Sequence, residues 1–351
     1  MSSFQPMPAE EFRFTDITYQ KKEWVATVAF NRPEAHNAYS TRALQEMIRA
    51  FQDASWDDSV AVLVLTGTGD RAFCTGGDVK EYATEFTRRP RDYWKWMGLF
   101  QACHDLLRNL GKVTIARING MVAGGGNEFN LACDLAVMAE HAYIRQVGTR
   151  VGSVAAGGAT QWLPITVGDR RAREILFLCE EIDARRCLEW GLVNRVVPSV
   201  KGRSGEFLHP KDLAAVQQAL KEGATLDLSP LDAAVAELAG KLIQKFPECT
   251  RYTKQQVNFW KDLAWHQTIG HARDWLALHY TSWEPNEGMN AFVEKRAPDY
   301  LKLRRRAAEG GSSEFPWGPY SSRCESCGAK LLPEGFAFCG ACGRPLAVGK
   351  S

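Results

Sequence analysis

Two glycine-rich turns, each set between an apolar strand and the start of a helix, constrain this chain more than any other feature. One reads Ala72-Phe73-Cys74-Thr75-Gly76-Gly77-Asp78 and follows the nearly continuous apolar run Val60 to Thr66. The other reads Asn119-Gly120-Met121-Val122-Ala123-Gly124-Gly125-Gly126-Asn127-Glu128 and follows the strand-like segment Lys112 to Ile118. Glycine lets a backbone approach a ligand closely, and the N-terminus of a helix presents free N–H groups with partial positive charge. Two such turns facing one another would aim two N–H donors at one oxygen, which is how an oxyanion hole is built. Glu128 lies in the first helical turn after the glycines, within reach of the same cleft. The same residues also read as tight turns, with Glu128 complementing a helix dipole, and spacing alone favours that plainer reading. A phosphate loop is the third option, but the Lys-Ser/Thr of a P-loop and the GxGxxG of a dinucleotide fold are both missing.

Around these turns, strands alternate with helices. Trp24 to Phe30 alternates with period two, and Ser40 is placed to cap a helix whose Leu44, Met47, Ile48 and Phe51 share one face. Leu135 to Ala139 and Leu192 to Val197 are further short apolar runs. The pattern predicts an α/β layer built on repeated strand–helix units. After Pro198 the chain reads as a loop over Val200 to Pro210. Helical patterns follow over Leu213 to Leu220, Leu231 to Ile243 and Thr253 to Leu278, the last carrying Trp260, Trp265 and Trp275 as a packing or oligomer surface. Lys302, Arg304, Arg305 and Arg306 read as a solvated helix end. Residues 307–323, rich in Gly, Ser and Pro, read as a linker.

The 351 residues carry 43 Lys and Arg against 41 Asp and Glu, a net charge of +2, which predicts neither a nucleic-acid stripe nor a membrane-binding face. The longest wholly apolar stretch, Val60 to Leu65, is far short of the ~20 residues a spanning helix needs. The first twelve residues include Glu10 and Glu11 and show no signal-peptide pattern. Six of the ten cysteines are scattered singly, while the other four form Cys324-x2-Cys327 and Cys339-x2-Cys342. Paired CxxC turns aim four thiolates at one ion, as in a structural zinc ribbon, and the uneven distribution argues for a reducing, cytoplasmic setting rather than disulfides. Leu331, Leu332, Phe336 and Phe338 are the expected core of this module. Residues 311–351 carry a surplus of only one positive charge, too little for a phosphate-binding surface, so a protein partner or an oligomer contact is the expected role.

The ordered motifs resemble the crotonase (enoyl-CoA hydratase/isomerase) superfamily. They are Asn31-Arg32-Pro33-Glu34-Ala35-His36-Asn37-Ala38, the two glycine turns, Cys133-Asp134, Gly157-Gly158-Ala159-Thr160-Gln161 and Trp190-Gly191-Leu192-Val193. The resemblance implies a ββα spiral core over residues 12–200 and a helical continuation over 201–306; the family pattern carries no counterpart of the ribbon over 324–345, which is read from the cysteine spacing alone. It implies that the Gly77 and Gly125 N–H groups hold the carbonyl oxygen of a CoA thioester. Ala35, Thr75, Asp78 and Lys80 would help to bind that substrate, with Asp78 and Asp134 also bonding nearby backbone. It implies no catalytic cofactor beyond the CoA of the substrate, and assembly as a trimer or a dimer of trimers. Ordinary members place two glutamates around one water. Here Glu128 matches the first, and Gly148 stands at the second. A glycine there, in Gln146-Val147-Gly148, is similar to one branch, the ring-opening 6-oxocyclohex-1-ene-1-carbonyl-CoA hydrolases. Leu178-Cys179-Glu180, Phe246-Pro247-Glu248-Cys249 and Trp275-Leu276-Ala277-Leu278 agree with it, whereas Asn127 and Val151 stand where that branch usually has Gln and His. Ring opening is therefore the leading expectation. A plain enoyl-CoA hydratase or isomerase, and a non-catalytic acyl-CoA-binding homologue, are the alternatives.

Overall fold

The computed structural model describes residues 4, 6–315, 320–330, 332–333 and 336–346. Its strands come in pairs that separate into two sheets. β1 (Ile17–Lys22) and β2 (Val25–Phe30) form a hairpin, and β2 pairs in parallel with β3 (Val62–Gly67). The chain then leaves this sheet for the short β4 (Ala72–Cys74), returns as β5 (Val113–Ile118), leaves again as β6 (Met121–Ala123), and repeats the step with β7 (Leu135–Ala139) and β8 (Tyr143–Arg145). With β9 (Ile182–Asp183) and β10 (Arg195–Val197) the result is a large sheet ordered β1-β2-β3-β5-β7-β10 and a small one ordered β4-β6-β8-β9. Each step of the spiral thus places a three-residue strand, and the turn that follows it, beside those of its neighbours. This is the expected ββα spiral.

The hydrophobic pattern explains the layers. β3 is buried along its whole length, as its unbroken apolar run predicts. α1 (Thr41–Trp56) begins at Ser40, whose Oγ accepts from the Ala43 N–H at 3.0 Å, and buries Leu44, Met47 and Phe51. Beyond it run α2 (Val79–Glu81), α3 (Pro90–Arg108), α4 (Gly125–Ala132), α5 (Ala159–Val167), α6 (Asp169–Leu178), α7 (Ala184–Glu189), α8 (Leu213–Lys221) and α9 (Ser229–Ile243). α9 lays Leu231, Val235 and Ala239 against Val62, Val64, Ile115 and Val137 of the large sheet. α10 (Pro247–Val257), α11 (Phe259–His279), α12 (Trp283–Val293) and α13 (Tyr300–Ala308) complete the helices.

The chain divides into two compact units. One comprises residues up to Gly77, Leu99–Val147 and Ala155–Ile269, and holds both sheets. The other comprises Asp78–Gly98, Gly148–Val154 and the residues from Gly270 on, with Tyr82, Phe86, Tyr93, Trp96 and Tyr280 in mutual ring contact.

Several local expectations are corrected. Trp24 belongs to the turn, with φ of +72°, so the strand starts at Val25. The stretch Val200 to Pro210 is a hairpin of β11 (Val200–Lys201) and β12 (Phe207–Leu208), joined by β13 (Thr225–Leu226). Two-residue strands are too short to show a period, so only their pairing reveals them. The long helix expected over Thr253 to Leu278 breaks at Asn258, whose side chain donates to the Arg108 carbonyl in the core at 3.1 Å. Of the three tryptophans, Trp265 is core, stacked on Trp162, while Trp260 and Trp275 are exposed. The stretch read as a linker starts inside α13, which runs to Ala308, and is anchored at its middle: Phe315 is buried against the Trp283 ring, and the Phe315 N–H donates to Thr281 O.

Candidate active site

The two glycine turns meet. β4 and β6 pair in parallel, which brings the loops that follow them side by side. A Cβ on Gly76 would stand 3.1 Å from the Gly125 nitrogen and 3.2 Å from the Ala123 oxygen. A Cβ on Gly126 would run into the Cys74 carbonyl. Only glycine permits this approach, and Gly76 and Gly124 additionally adopt φ of +92° and +51°. The Tyr39 N–H donates to Gly76 O at 2.9 Å and fixes the first loop, while the Gly124 N–H donates to Arg145 O at 3.0 Å and fixes the second. Among the described residues, neither the Gly77 nor the Gly125 N–H donates to a backbone acceptor. Two unspent amides on adjoining loops, one of them at the positive end of α4, can serve one anionic oxygen.

Glu128 sits three residues along α4 from Gly125 and is buried. Its Oε1 accepts from the Ala159 N–H at 3.3 Å, at the start of α5. Burial pushes its carboxyl up to about 7, against the pull of the Ala159 and Gly157 N–H groups. A carboxyl with that acidity can both take and return a proton near neutral pH. The sequence showed Gly157-Gly158-Ala159 only as a motif; that its amides hold Glu128 required the fold. Gly148 opens the short turn Gly148–Arg150 and brings no carboxylate.

The remaining candidates divide. Thr75 Oγ1 donates to His36 O at 3.1 Å, tying the first glycine loop to the turn Pro33–Ala35, in which Ala35 is half-buried. Asp78 caps α2 by accepting from the Lys80 N–H at 3.0 Å, and Lys80 itself is exposed. Asp134 accepts from the Thr114 N–H at 2.7 Å and from Lys254 Nζ at 2.7 Å, so it ties strand to helix as a backbone-bonding residue.

The four C-terminal cysteines converge separately. Their sulfurs lie within 4.8 Å of one another, with Cys324 to Cys342 and Cys327 to Cys339 both at 3.7 Å. That spacing is far too long for disulfides and matches the edge of a tetrahedron of thiolates ~2.3 Å from a central zinc. The two knuckles are built alike: Gly328 and Gly343 donate to the Cys324 and Cys339 carbonyls at 2.8 Å, each glycine with positive φ. The module's core differs from expectation. Phe336 and Phe338 are exposed, Leu331 lies outside the described residues, and Cys324, Cys339 and Leu346 fill the interior with Leu332 alongside. In so small a module the Cys324 and Cys339 side chains themselves occupy the centre.

The profile of the enoyl-CoA hydratase/isomerase family matches residues 20–223. The 6-oxocyclohex-1-ene-1-carbonyl-CoA hydrolase of Geobacter metallireducens is 36% identical over 319 residues, covering 83% of this chain and 82% of that protein. The protein of the same name from Thauera aromatica is 34% identical over 343 residues, covering 90% and 89%. Among solved structures, an enoyl-CoA hydratase from Mycobacterium avium subsp. paratuberculosis superposes with a TM-score of 0.66 at 21% identity, covering 82% of this chain and 98% of that one.

Proposed function

The chain belongs to the enoyl-CoA hydratase/isomerase family, and from that premise we propose that it hydrates and hydrolytically opens a cyclic enoyl-CoA of the 6-oxocyclohex-1-ene-1-carbonyl type. The observation that carries this reading is a site with two free loop amides and a single carboxyl. Gly148 stands where an ordinary hydratase has its second glutamate, and the two named hydrolases are similar over most of the chain.

In the proposed sequence, Glu128 takes a proton from water as the water oxygen adds to the double bond conjugated with the thioester. The electron pair moves onto the thioester oxygen, held by the Gly77 and Gly125 amides, and protonation of the adjacent carbon gives a cyclic β-keto thioester. A second water attacks the ring ketone, the carbon–carbon bond to the carbon bearing the thioester breaks, and its electrons pass to the same oxygen. Proton return leaves an open-chain thioester with a new carboxylate, two waters heavier than the substrate. One hole serves both steps. Ala35, Thr75, Asp78 and Lys80 are proposed to bind the CoA ester.

Mass analysis of 6-oxocyclohex-1-ene-1-carbonyl-CoA incubated with the protein tests the reading. A gain of two waters is expected. One water gained on crotonyl-CoA without ring opening would make it a plain hydratase, and inertness toward every acyl-CoA would make it a binding homologue. The acidity of Glu128 adds a signature. As the base it must be ionised, so kcat/KM should fall below pH about 7. Its folded value lies above the ordinary carboxylate range, so the stability it contributes is present at low pH and lost as pH rises through about 7. Activity and melting temperature should therefore move in opposite directions as pH rises from 4.5 to about 7 and level off above it. A flat rate profile there would remove Glu128 as the base.

We also propose that Cys324, Cys327, Cys339 and Cys342 hold a structural zinc ion, supported by their tetrahedral spacing. Elemental analysis should find one zinc per chain, and Cys324→Ser should lose it while sparing turnover. A folded, inactive Cys324→Ser protein would instead tie the ribbon to catalysis. Residues 12–200 and 201–306 are read as the catalytic domain, 307–323 as the connection and 324–345 as the ribbon, available to a protein partner. The exposed apolar side chains Phe177, Leu178, Val257 and Trp260 support self-association, and by the family resemblance the proposed form is a trimer or a dimer of trimers. No helix among the described residues is long and apolar enough to cross a membrane, and a cytoplasmic setting is proposed from the uneven distribution of the cysteines along the chain.

A further inference from the structure

We propose that the hydroxyl of Tyr39 is a third donor of the oxyanion hole, beside the Gly77 and Gly125 amides. This rests on the thioester reading of that site. Tyr39 is held at both ends. Its main chain bridges to Gly77, and its N–H donates to Gly76 O at 2.9 Å. The next residue, Ser40, caps α1, so the backbone cannot slide. The ring stacks on Phe100 with centroids 5.7 Å apart and meets Phe129 edge-on at 5.5 Å. This places the phenol oxygen against Gly125, so close that a Cβ there would collide with it. The hydroxyl therefore stands beside the residue whose N–H is assigned to the thioester oxygen, one helical turn from Glu128.

The chemistry favours a phenol at this place. Phe30, Phe100 and Phe129 surround the ring with apolar surface, and Tyr39 is 3% exposed, so a hydrogen bond from its hydroxyl to a developing enolate is little weakened by water. The donor gives up no proton and the step needs no further reactant: its O–H bond only strengthens its hold as charge arrives. The proposed reaction loads the thioester oxygen with charge twice and has a single carboxyl to assist. An added donor lowers both barriers.

Tyr39→Phe removes the oxygen and keeps the ring. Its kcat should fall at least about tenfold, toward the ~10²-fold typical of a lost hole donor, with KM changed much less. The infrared stretch of the thioester carbonyl in bound butyryl-CoA, a saturated ester with no double bond to hydrate, should shift back toward its position in free solution, while the melting temperature stays near that of the parent. An unchanged rate and an unchanged stretch would overturn the proposal, and so would a raised KM at constant kcat. The stretch does not depend on turnover. Should the parent leave the ring substrate untouched while the variant still moves the stretch, the functional reading fails and the third donor stands.

Discussion

Glu128→Gln is expected to fold as the parent does and to lose turnover by about 10²- to 10⁴-fold, the contribution of a positioned general base. Glutamine keeps the side chain's length and an oxygen to accept the Ala159 N–H now held at 3.3 Å. It is also neutral, as the buried carboxyl prefers to be below pH about 7, so the exchange costs the fold little. What it cannot do is take a proton from water. The residual rate should also lose its inflection near neutrality, because the titrating group has gone. Steady-state rates from pH 5 to 9, alongside a thermal melt, check both statements. Parent-like rates in the variant would remove Glu128 from the reaction.

Gly126→Ala should reduce stability and activity together, against what helix propensity alone would say. Inside α4, alanine is favoured over glycine by ~1 kcal/mol, so a purely local argument expects a more stable protein. The tertiary contact reverses the sign. The new methyl would run into the Cys74 carbonyl, which is backbone and cannot swing aside. Overpacking of this kind costs about 1–3 kcal/mol. Relief comes by pushing the first turn of α4 away from β4, which separates the Gly125 amide from the Gly77 loop. A lost hole donor costs about 10²- to 10³-fold in kcat. A lower melting temperature with a rate loss of that order is expected. A raised melting temperature with full activity would show that the loops do not need to touch.

Much of this site was legible in the chain because its parts are local. The Ser40 cap, the buried run that became β3 and the glycines before α4 each report on a few neighbouring residues. Their spacing left a plain tight turn as the better reading, and it was the order of motifs along the chain that pointed to a thioester site. Other features had no local signal. β4, β6 and β8 are three residues each, and only their pairing makes them a sheet. Tyr39 resembles any aromatic core residue until the Gly125 contact is seen. In the ribbon, composition suggested Phe336 and Phe338 for the core, but they lie exposed, and Cys324, Cys339 and Leu346 fill the interior.

By itself, the sequence determined where the backbone can bend sharply, where helices begin and which side chains carry titratable or metal-ligating atoms, because these follow from the residue and its immediate neighbours. Tertiary structure alone decided that two turns some fifty residues apart press against each other, and that one glutamate is dry enough to hold its proton to about 7. Close approach and desolvation belong to groups distant in the chain, and neither exists until the fold has brought them together.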